Sequence, residues 1–173
     1  MKTLLVLSAL TVTSAMYALP ATAGCTDPRS PQPLSGMSHL LGTPAANYHI
    51  GSYRSIVGTW LVTYTTEGAP GGEAFIQWHS DGTEWENINH PVLDGNVCMG
   101  SWKMIDAHHV SRNHFGWLYD SGTLSGFFNE TETDELSQDG NSYNGTNELK
   151  LYDLSGNMLA DLTGTASATR IAP

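Results

Sequence analysis

The chain has 173 residues, and its 17 acidic side chains outnumber seven basic ones, which gives a formal net charge of −10 at pH 7. A chain of this sign is repelled by phosphate backbones and by anionic lipid headgroups. Nucleic acid and anionic membrane surfaces are therefore disfavoured as partners.

Residues 1–23 have the pattern of a secretory signal peptide, with a basic start, a short apolar run and small residues before a cleavage point after Ala23. The remaining chain of about 150 residues, with a net charge of −11 once Lys2 is removed, suits one domain with its own core. We predict a secreted or periplasmic protein; the alternative is a lipoprotein anchored through Cys25. No other apolar run approaches the roughly 20 residues that span a bilayer, so no integral membrane segment is predicted.

The two cysteines, Cys25 and Cys98, are the only ones in the chain. In an oxidising compartment they are predicted to form a disulfide that ties the N-terminal segment to the domain. Residues 24–54 are rich in Pro, Gly and Ser and show no sustained periodicity, which indicates an irregular segment.

Residues 55–173 are predicted to form the folded domain, because β-rich runs there alternate with turn signals such as Ala69-Pro70-Gly71-Gly72, Asp81-Gly82 and Asp139-Gly140. Eight strands are predicted and no amphipathic helix. Their predicted bounds are Ile56–Thr66, Glu73–His79, Thr83–His90, Val97–Ile105, His108–Tyr119, Thr123–Leu136, Ser142–Tyr152 and Met158–Ile171. Eight antiparallel strands close a small up-and-down β-barrel with room for one small ligand.

Gly58-Thr59-Trp60, at the start of the first predicted strand, resembles the G-x-W signature of lipocalins and related calycin barrels. The last strand carries Arg170, and calycins often place an arginine there against the first-strand Trp. The span from residue 56 to residue 171 resembles bacterial secreted lipocalin-like proteins. The resemblance implies a barrel that binds a small, largely apolar molecule, and some related barrels are enzymes.

Hairpin register decides which side chains face the interior. A two-residue turn at Asp81-Gly82 would pair Trp78 with Trp85 and place Asn87 inside. A turn at Ser155-Gly156 pairs Leu151 with Ala160. The predicted ligand-binding residues, most of them aromatic, are Trp60, Trp78, Trp85, Asn87, Trp102, Phe128, Tyr143 and Asn147. The alternative is a filled aromatic core without a cavity.

The strand 108–119 has one polar face, with Arg112 and His114, and one aromatic face, with Phe115 and Trp117. A three-residue turn at residues 120–122 would pair Arg112 with Glu130 and His114 with Phe128. An even-numbered turn at Asp139-Gly140 would pair Leu136 with Tyr143. Together these two turns would place the polar face of the strand inside the barrel. A slip of one residue in either turn reverses this, and the cost of burying charge favours the aromatic face. Both alternatives stay open at this point.

If the polar face lies inside, His114 can act as general acid and base, with Glu130 orienting it and Arg112 stabilising an enolate or carboxylate. His108 and His114 share this face but lie about 20 Å apart along a strand, too far to bind one ion. Neither a metal nor a cofactor is predicted.

The leading predicted function is an exported lipocalin-like barrel that binds a small hydrophobic or aromatic molecule. The first alternative is a cofactor-independent isomerase, cyclase or lyase that uses His114. A structural or surface-interaction module with a filled core is the second, and the oligomeric state is left open.

Overall fold

A computed structural model describes residues 49–50 and 53–172. Ten strands and one turn of 3-10 helix, Val92–Asp94, account for most of this part of the chain. The strands are β1 His49–Ile50, β2 Tyr53–Arg54, β3 Gly58–Thr66, β4 Ala69–Trp78, β5 Thr83–Ile88, β6 Val97–Met104, β7 His109–Asp120, β8 Thr123–Leu136, β9 Ser142–Asp153 and β10 Met158–Arg170. The predicted signal peptide and Cys25 lie outside the described residues, as does most of the segment 24–54.

Strands β3 to β10 form a closed antiparallel barrel in which each strand pairs with its neighbours in sequence and β10 returns to pair with β3. The predicted all-β, eight-stranded up-and-down barrel is confirmed. The two-residue strands β1 and β2 form a separate hairpin. The described residues include no helix of the length and apolar character needed to cross a membrane.

The first barrel hairpin differs from its prediction. The turn was predicted at Ala69-Pro70-Gly71-Gly72, but Glu67 and Gly68 form it, with positive φ at both residues as a type I′ turn requires. Residues 69–72 belong to β4, where the register shifts opposite Tyr64 and Thr65 and leaves Gly71 as the extra residue of a bulge.

Four aromatic side chains fill the end of the barrel where β3 begins. The Trp60 and Tyr143 rings meet edge to face with centroids 4.9 Å apart. The Trp78 ring lies 6.0 Å from Tyr143 and 5.8 Å from Trp102. Trp60, Trp78 and Tyr143 are fully buried and Trp102 is half-buried, so the predicted inward orientation of all four is confirmed.

Arg170 closes the same end. Its guanidinium carbon lies 4.1 Å from the centre of the Trp60 ring, and its nitrogens donate to the carbonyl oxygens of Ser55, Val57 and Gly140. The contact between the first-strand Trp and the last-strand Arg, expected from the resemblance, is therefore present. Three charge-assisted hydrogen bonds tie the ends of β3 and β10 to the loop before β9.

The β4–β5 hairpin has a different register from the predicted one. Its loop contains three residues, 80–82, with Gly82 at φ 87, so Trp78 pairs with Glu84 instead of Trp85. The extra loop residue turns every side chain of β5 over. Trp85 is 50% exposed and Asn87 faces outward, so the prediction that both line the interior is wrong. Glu84 and Glu86 are buried in their place.

This register predicts that replacing Trp78 lowers the stability of the protein more than replacing Trp85. Trp78→Ala should lower the free energy of unfolding by about 3–5 kcal/mol, because it opens a cavity in the core. Trp85→Ala should cost about 1 kcal/mol or less, because half of that side chain already contacts solvent. Urea unfolding of both variants measures the difference, and equal losses would contradict the three-residue loop.

The β7–β8 hairpin settles which face of β7 lies inside. Ser121 and Gly122 form a two-residue turn, and the register shifts between Leu118 and Tyr119. The predicted three-residue turn and both predicted pairs are wrong. His114 pairs with Glu130, and Arg112 pairs with the next acid along β8.

The shorter turn and the bulge together move the β7–β8 register by two residues. Because side chains alternate with a period of two, every side chain stays on the face that the predicted turn lengths gave it. The prediction that Leu136 pairs with Tyr143 is confirmed. Arg112 and His114 are buried, whereas Phe115 and Trp117 lie on the outer wall, 45% and 58% exposed.

Candidate functional site

The middle of the barrel holds a cluster of polar side chains from five strands. Each side chain alternates with an outward-facing neighbour, so the cluster follows from strand periodicity once the register is set. All of its members are buried. The polar cluster consists of Tyr64, Glu84, Glu86, Arg112, His114, Glu130, Glu132, Asp134 and Asn147.

His114 lies at the centre of the polar cluster and is fully buried. Its Nδ1 is 2.6 Å from Oε1 of Glu84, and its Nε2 lies 4.0 Å from Oε2 of Glu86 without a hydrogen-bond partner. Burial opposes protonation of the imidazole and Arg112 adds to this, but the two carboxylates outweigh both and raise the pKa of His114. The ring is thus oriented by one carboxylate and has one free nitrogen.

Arg112 joins side chains of three other strands, two carboxylates and one hydroxyl group. Its guanidinium donates to Oε2 of Glu86 at 3.2 Å, to the hydroxyl of Tyr64 at 2.9 Å and to the carboxylate of Glu132. The Tyr64 hydroxyl in turn donates to Glu86 at 2.6 Å. Because both terminal nitrogens of Arg112 are engaged by these groups, Glu130 is not among its hydrogen-bond partners, and only Nε lacks a partner.

Glu130 faces the interior beside His114 and accepts a hydrogen bond from Nδ2 of Asn147. Burial raises the pKa of Glu130 to about 7, although the positive charge of Arg112 opposes the shift. Burial and the nearby carboxylate of Glu132 also raise the pKa of Asp134. The barrel therefore contains carboxyl groups that keep their protons well above the usual range of pH.

Glu84 differs from these acids. Burial would raise the pKa of its carboxyl group, but the charge and hydrogen bond of His114 overcome burial and lower it. Glu84 is therefore the ionised partner that holds the imidazole.

Glycines on neighbouring strands make room for these side chains. A Cβ atom at Gly100 would collide with the carboxylate of Glu84, and one at Gly145 would collide with that of Asp134. Both positions face the interior. The absence of a side chain there lets each carboxylate lean across the adjacent strand.

Ten buried polar atoms of the barrel interior have no hydrogen-bond partner among the described residues. Six are carboxylate oxygens and four are nitrogens or a hydroxyl group. They belong to Trp78, Glu84, Glu86, Arg112, His114, Glu130, Glu132, Asp134 and Tyr143. Buried groups of this kind bind ordered water or a ligand in native proteins. The interior is therefore suited to a polar guest.

Of the other predicted ligand-binding residues, Phe128 and Asn147 are buried inside the barrel, and the ring of Phe128 lies 5.8 Å from that of His114. The predicted site residues did not include five members of the polar cluster: Tyr64, Glu84, Glu86, Glu132 and Asp134. The available signal was acids at every second position, in residues 84–86 and 130–134. That pattern is more often typical of a solvated strand face.

One group of side chains has the composition of a metal site. Ligand atoms of Glu86, Cys98 and His114 all lie within 4.8 Å of one another. Cys98 is not a free thiol, and its predicted partner lies outside the described residues. The remaining two ligands fall short of the three or four that protein zinc sites use.

The aromatic face of β7 contributes to the outer wall instead of the interior. Phe115 and Trp117 line a shallow apolar groove of about 510 Å³ together with Val97 and Met99. These side chains have no role in the polar cluster.

Comparison with models of protein families and with curated proteins finds no match for the chain. The functional assignment therefore depends on the interior of the barrel.

Proposed function

We propose that the barrel binds one small molecule in its interior and moves a proton on it without a cofactor, as an isomerase, cyclase or lyase does. The observation that carries the proposal is the environment of His114. Its ring is fully buried, oriented through Nδ1 by Glu84, and has no hydrogen-bond partner at Nε2. A positioned imidazole with one free nitrogen is the usual arrangement for general acid–base catalysis.

In the proposed reaction, Glu84 accepts a hydrogen bond from the Nδ1–H of His114 and so keeps Nε2 directed at the ligand. Nε2 removes a proton from one ligand atom and returns it to another. Glu130, the cross-strand neighbour of His114 with a pKa of about 7, provides a second group that can hold or release a proton near neutral pH.

Arg112 has a positioning role in this proposal. Because its terminal nitrogens hold Glu86, Glu132 and Tyr64, it fixes their side chains beside His114 and does not contact the ligand with those nitrogens.

The second candidate function is binding alone, of a hydrophobic or aromatic molecule. It is supported by the aromatic end of the barrel, where Trp60, Trp78, Trp102 and Tyr143 pack edge to face. We further propose that the protein is exported, on the pattern of residues 1–23, and that it is a bacterial lipocalin-like protein, on the G-x-W sequence and the Trp60–Arg170 contact.

Deuterium incorporation from D₂O tests proton transfer without knowledge of the natural substrate. A panel of small ketones, enones and β-keto esters is incubated with the protein, and carbon-bound deuterium is measured by mass spectrometry. We expect exchange into at least one compound and a loss of about 10²–10⁴-fold in His114→Gln.

His109→Gln is the matched control, because His109 is a partly exposed histidine of the same strand with its own carboxylate partner, Asp106, at 2.8 Å. It should exchange like the wild type. Equal exchange in His114→Gln would contradict the catalytic role. Quenching of Trp emission by the panel without any exchange would favour the binding function.

A further inference from the structure

We propose that the guest of the barrel carries a positive charge, as an organic ammonium group attached to an aromatic or apolar body. This inference specifies the ligand class of the proposed interior site and rests on that site. It follows from the charge of the polar cluster, from its unpartnered atoms and from the rings beside it.

The polar cluster has more acids than bases. Five buried carboxyl groups face one arginine and one histidine. With all of them charged, three negative charges would have no positive partner inside the barrel, which is consistent with the raised pKa values of Glu130 and Asp134. Buried charges are costly unless they are paired, so a cationic guest would remove an unfavourable term that a neutral guest would leave.

Hydrogen bonding favours the same class of guest. Six carboxylate oxygens of the polar cluster accept no hydrogen bond from the described residues. Asp134 is the strongest case, since it is fully buried and the side chain that interacts with it most strongly is another carboxyl group, that of Glu132. An ammonium group offers three N–H donors, and charge-assisted hydrogen bonds to carboxylates are among the strongest in proteins.

The aromatic end of the barrel supplies faces for a cation. The guanidinium carbon of Arg112 already lies 5.8 Å from the centre of the Trp78 ring and 6.0 Å from that of Tyr64. Trp78 also contacts Tyr143, whose hydroxyl group has no partner. Aromatic rings next to carboxylates are the usual receptors for organic ammonium ions.

A bare metal ion fits the site less well. Apart from the group of Glu86, Cys98 and His114, no three of the metal-ligating side chains in the described part of the chain converge within 4.8 Å. The carboxyl groups follow two strands, β5 and β8, as suits an extended organic cation with several donors.

Isothermal titration calorimetry of the full chain with three matched probes tests the inference. The probes are benzylammonium, benzyl alcohol and benzoate, which share a ring and differ in charge. At pH 6 we expect benzylammonium to bind at least tenfold more tightly than benzyl alcohol. Because Glu130 has a pKa of about 7, its proton should be released on binding, which titrations in two buffers of different ionisation enthalpy will count.

Asp134→Asn should lose at least tenfold in affinity for benzylammonium and leave benzyl alcohol unaffected. Glu135→Gln, which removes an exposed acid of the same strand, is the control and should bind like the wild type. The relative affinities of the wild-type protein for the three probes need no variant, so they test the inference even if Asp134→Asn fails to fold.

Equal or tighter binding of benzyl alcohol or benzoate, or no binding of benzylammonium, would overturn the inference. Binding of Zn²⁺ without benzylammonium would overturn it in favour of a metal. Deuterium exchange into neutral compounds without a preference for cations would leave the proton-transfer function intact and remove only this inference. Preferential binding of benzylammonium without deuterium exchange into any compound would keep the cation site and remove the catalytic function.

Discussion

Replacing Arg112 by Met should lower the free energy of unfolding at pH 7 by about 3–5 kcal/mol. The substitution keeps most of the side-chain volume but removes the positive charge that Glu86 and Glu132 share, and it takes a donor from Tyr64. Two buried carboxylates would lose the positive charge of the guanidinium. Urea unfolding followed by far-UV circular dichroism measures the loss.

Lys103→Met is the matched control, since it removes an exposed positive charge from the neighbouring strand and should change stability by less than about 0.5 kcal/mol. Adding Glu132→Gln to Arg112→Met should restore part of the loss, because it removes one of the uncompensated charges. If Arg112→Met lost less than about 1 kcal/mol, the polar cluster would not depend on its cation.

The stability of the protein should fall as the pH rises from about 5 to 7, and Glu130→Gln should weaken this dependence. The pKa of Glu130 is raised from 4.5 to about 7 in the folded state. Between pH 4.5 and pH 7, folding is therefore accompanied by the uptake of a proton. Stability from this group is complete below pH 4.5 and is lost as the pH approaches 7. The difference corresponds to about 3 kcal/mol.

Other buried groups act in the same direction. The pKa values of Glu86, Asp134 and His114 are also raised, so their contributions also decline as the pH rises. Glu84 acts in the opposite sense, because its lowered pKa gives stability above 4.5 that is lost as the pH falls through its folded pKa.

Glu130→Gln keeps the oxygen that accepts from Asn147 and removes the titration. It should match the wild type near pH 5 and exceed it in stability at pH 8, as thermal unfolding at the two values will measure. Glu135→Gln, exposed on the same strand, should leave the pH profile unchanged. A wild-type profile that rises between pH 5 and 7 would contradict a buried, protonated Glu130.

The barrel itself could be predicted from the sequence because its turns are marked by glycine and aspartate and its strands by β-branched and aromatic runs. The bounds of β8 are those predicted, and most others differ by three residues or fewer. These signals are local, so they identify strands without knowledge of the partner strand.

The lining of the barrel could be predicted only in part, because one loop residue decides the face of a whole strand. At β5 the loop has three residues instead of two, and Glu84 and Glu86 replace Trp85 and Asn87 inside. At β7 a shorter turn and an unpredicted bulge moved the register by two residues, which kept His114 inside but gave it Glu130 as a neighbour. Bulges depend on contacts across the sheet, which the local sequence does not reveal.

Aromatic side chains are generally more buried than charged ones, and β7 is an exception to this rule. Phe115 and Trp117 lie outside, because Arg112 and His114 are paired inside the barrel with buried carboxylates of other strands. Such pairing involves acids on β5 and β8, far apart in sequence, and no single strand reveals it.

The protonation and solvent exchange of the His114 ring test most directly the claim that the barrel contains a proton-transfer site. NMR of the protein with ¹⁵N-labelled histidine can measure both. With the imidazole buried against Glu84, its pKa should lie above the usual 6.5 and should fall in Glu84→Gln. Its Nδ1 proton should exchange with solvent far more slowly than the ring protons of His109, whose side chain is 41% exposed. A His114 that titrates at 6.5 in both proteins, with ring protons that exchange as fast as those of His109, would contradict a proton-transfer site inside the barrel.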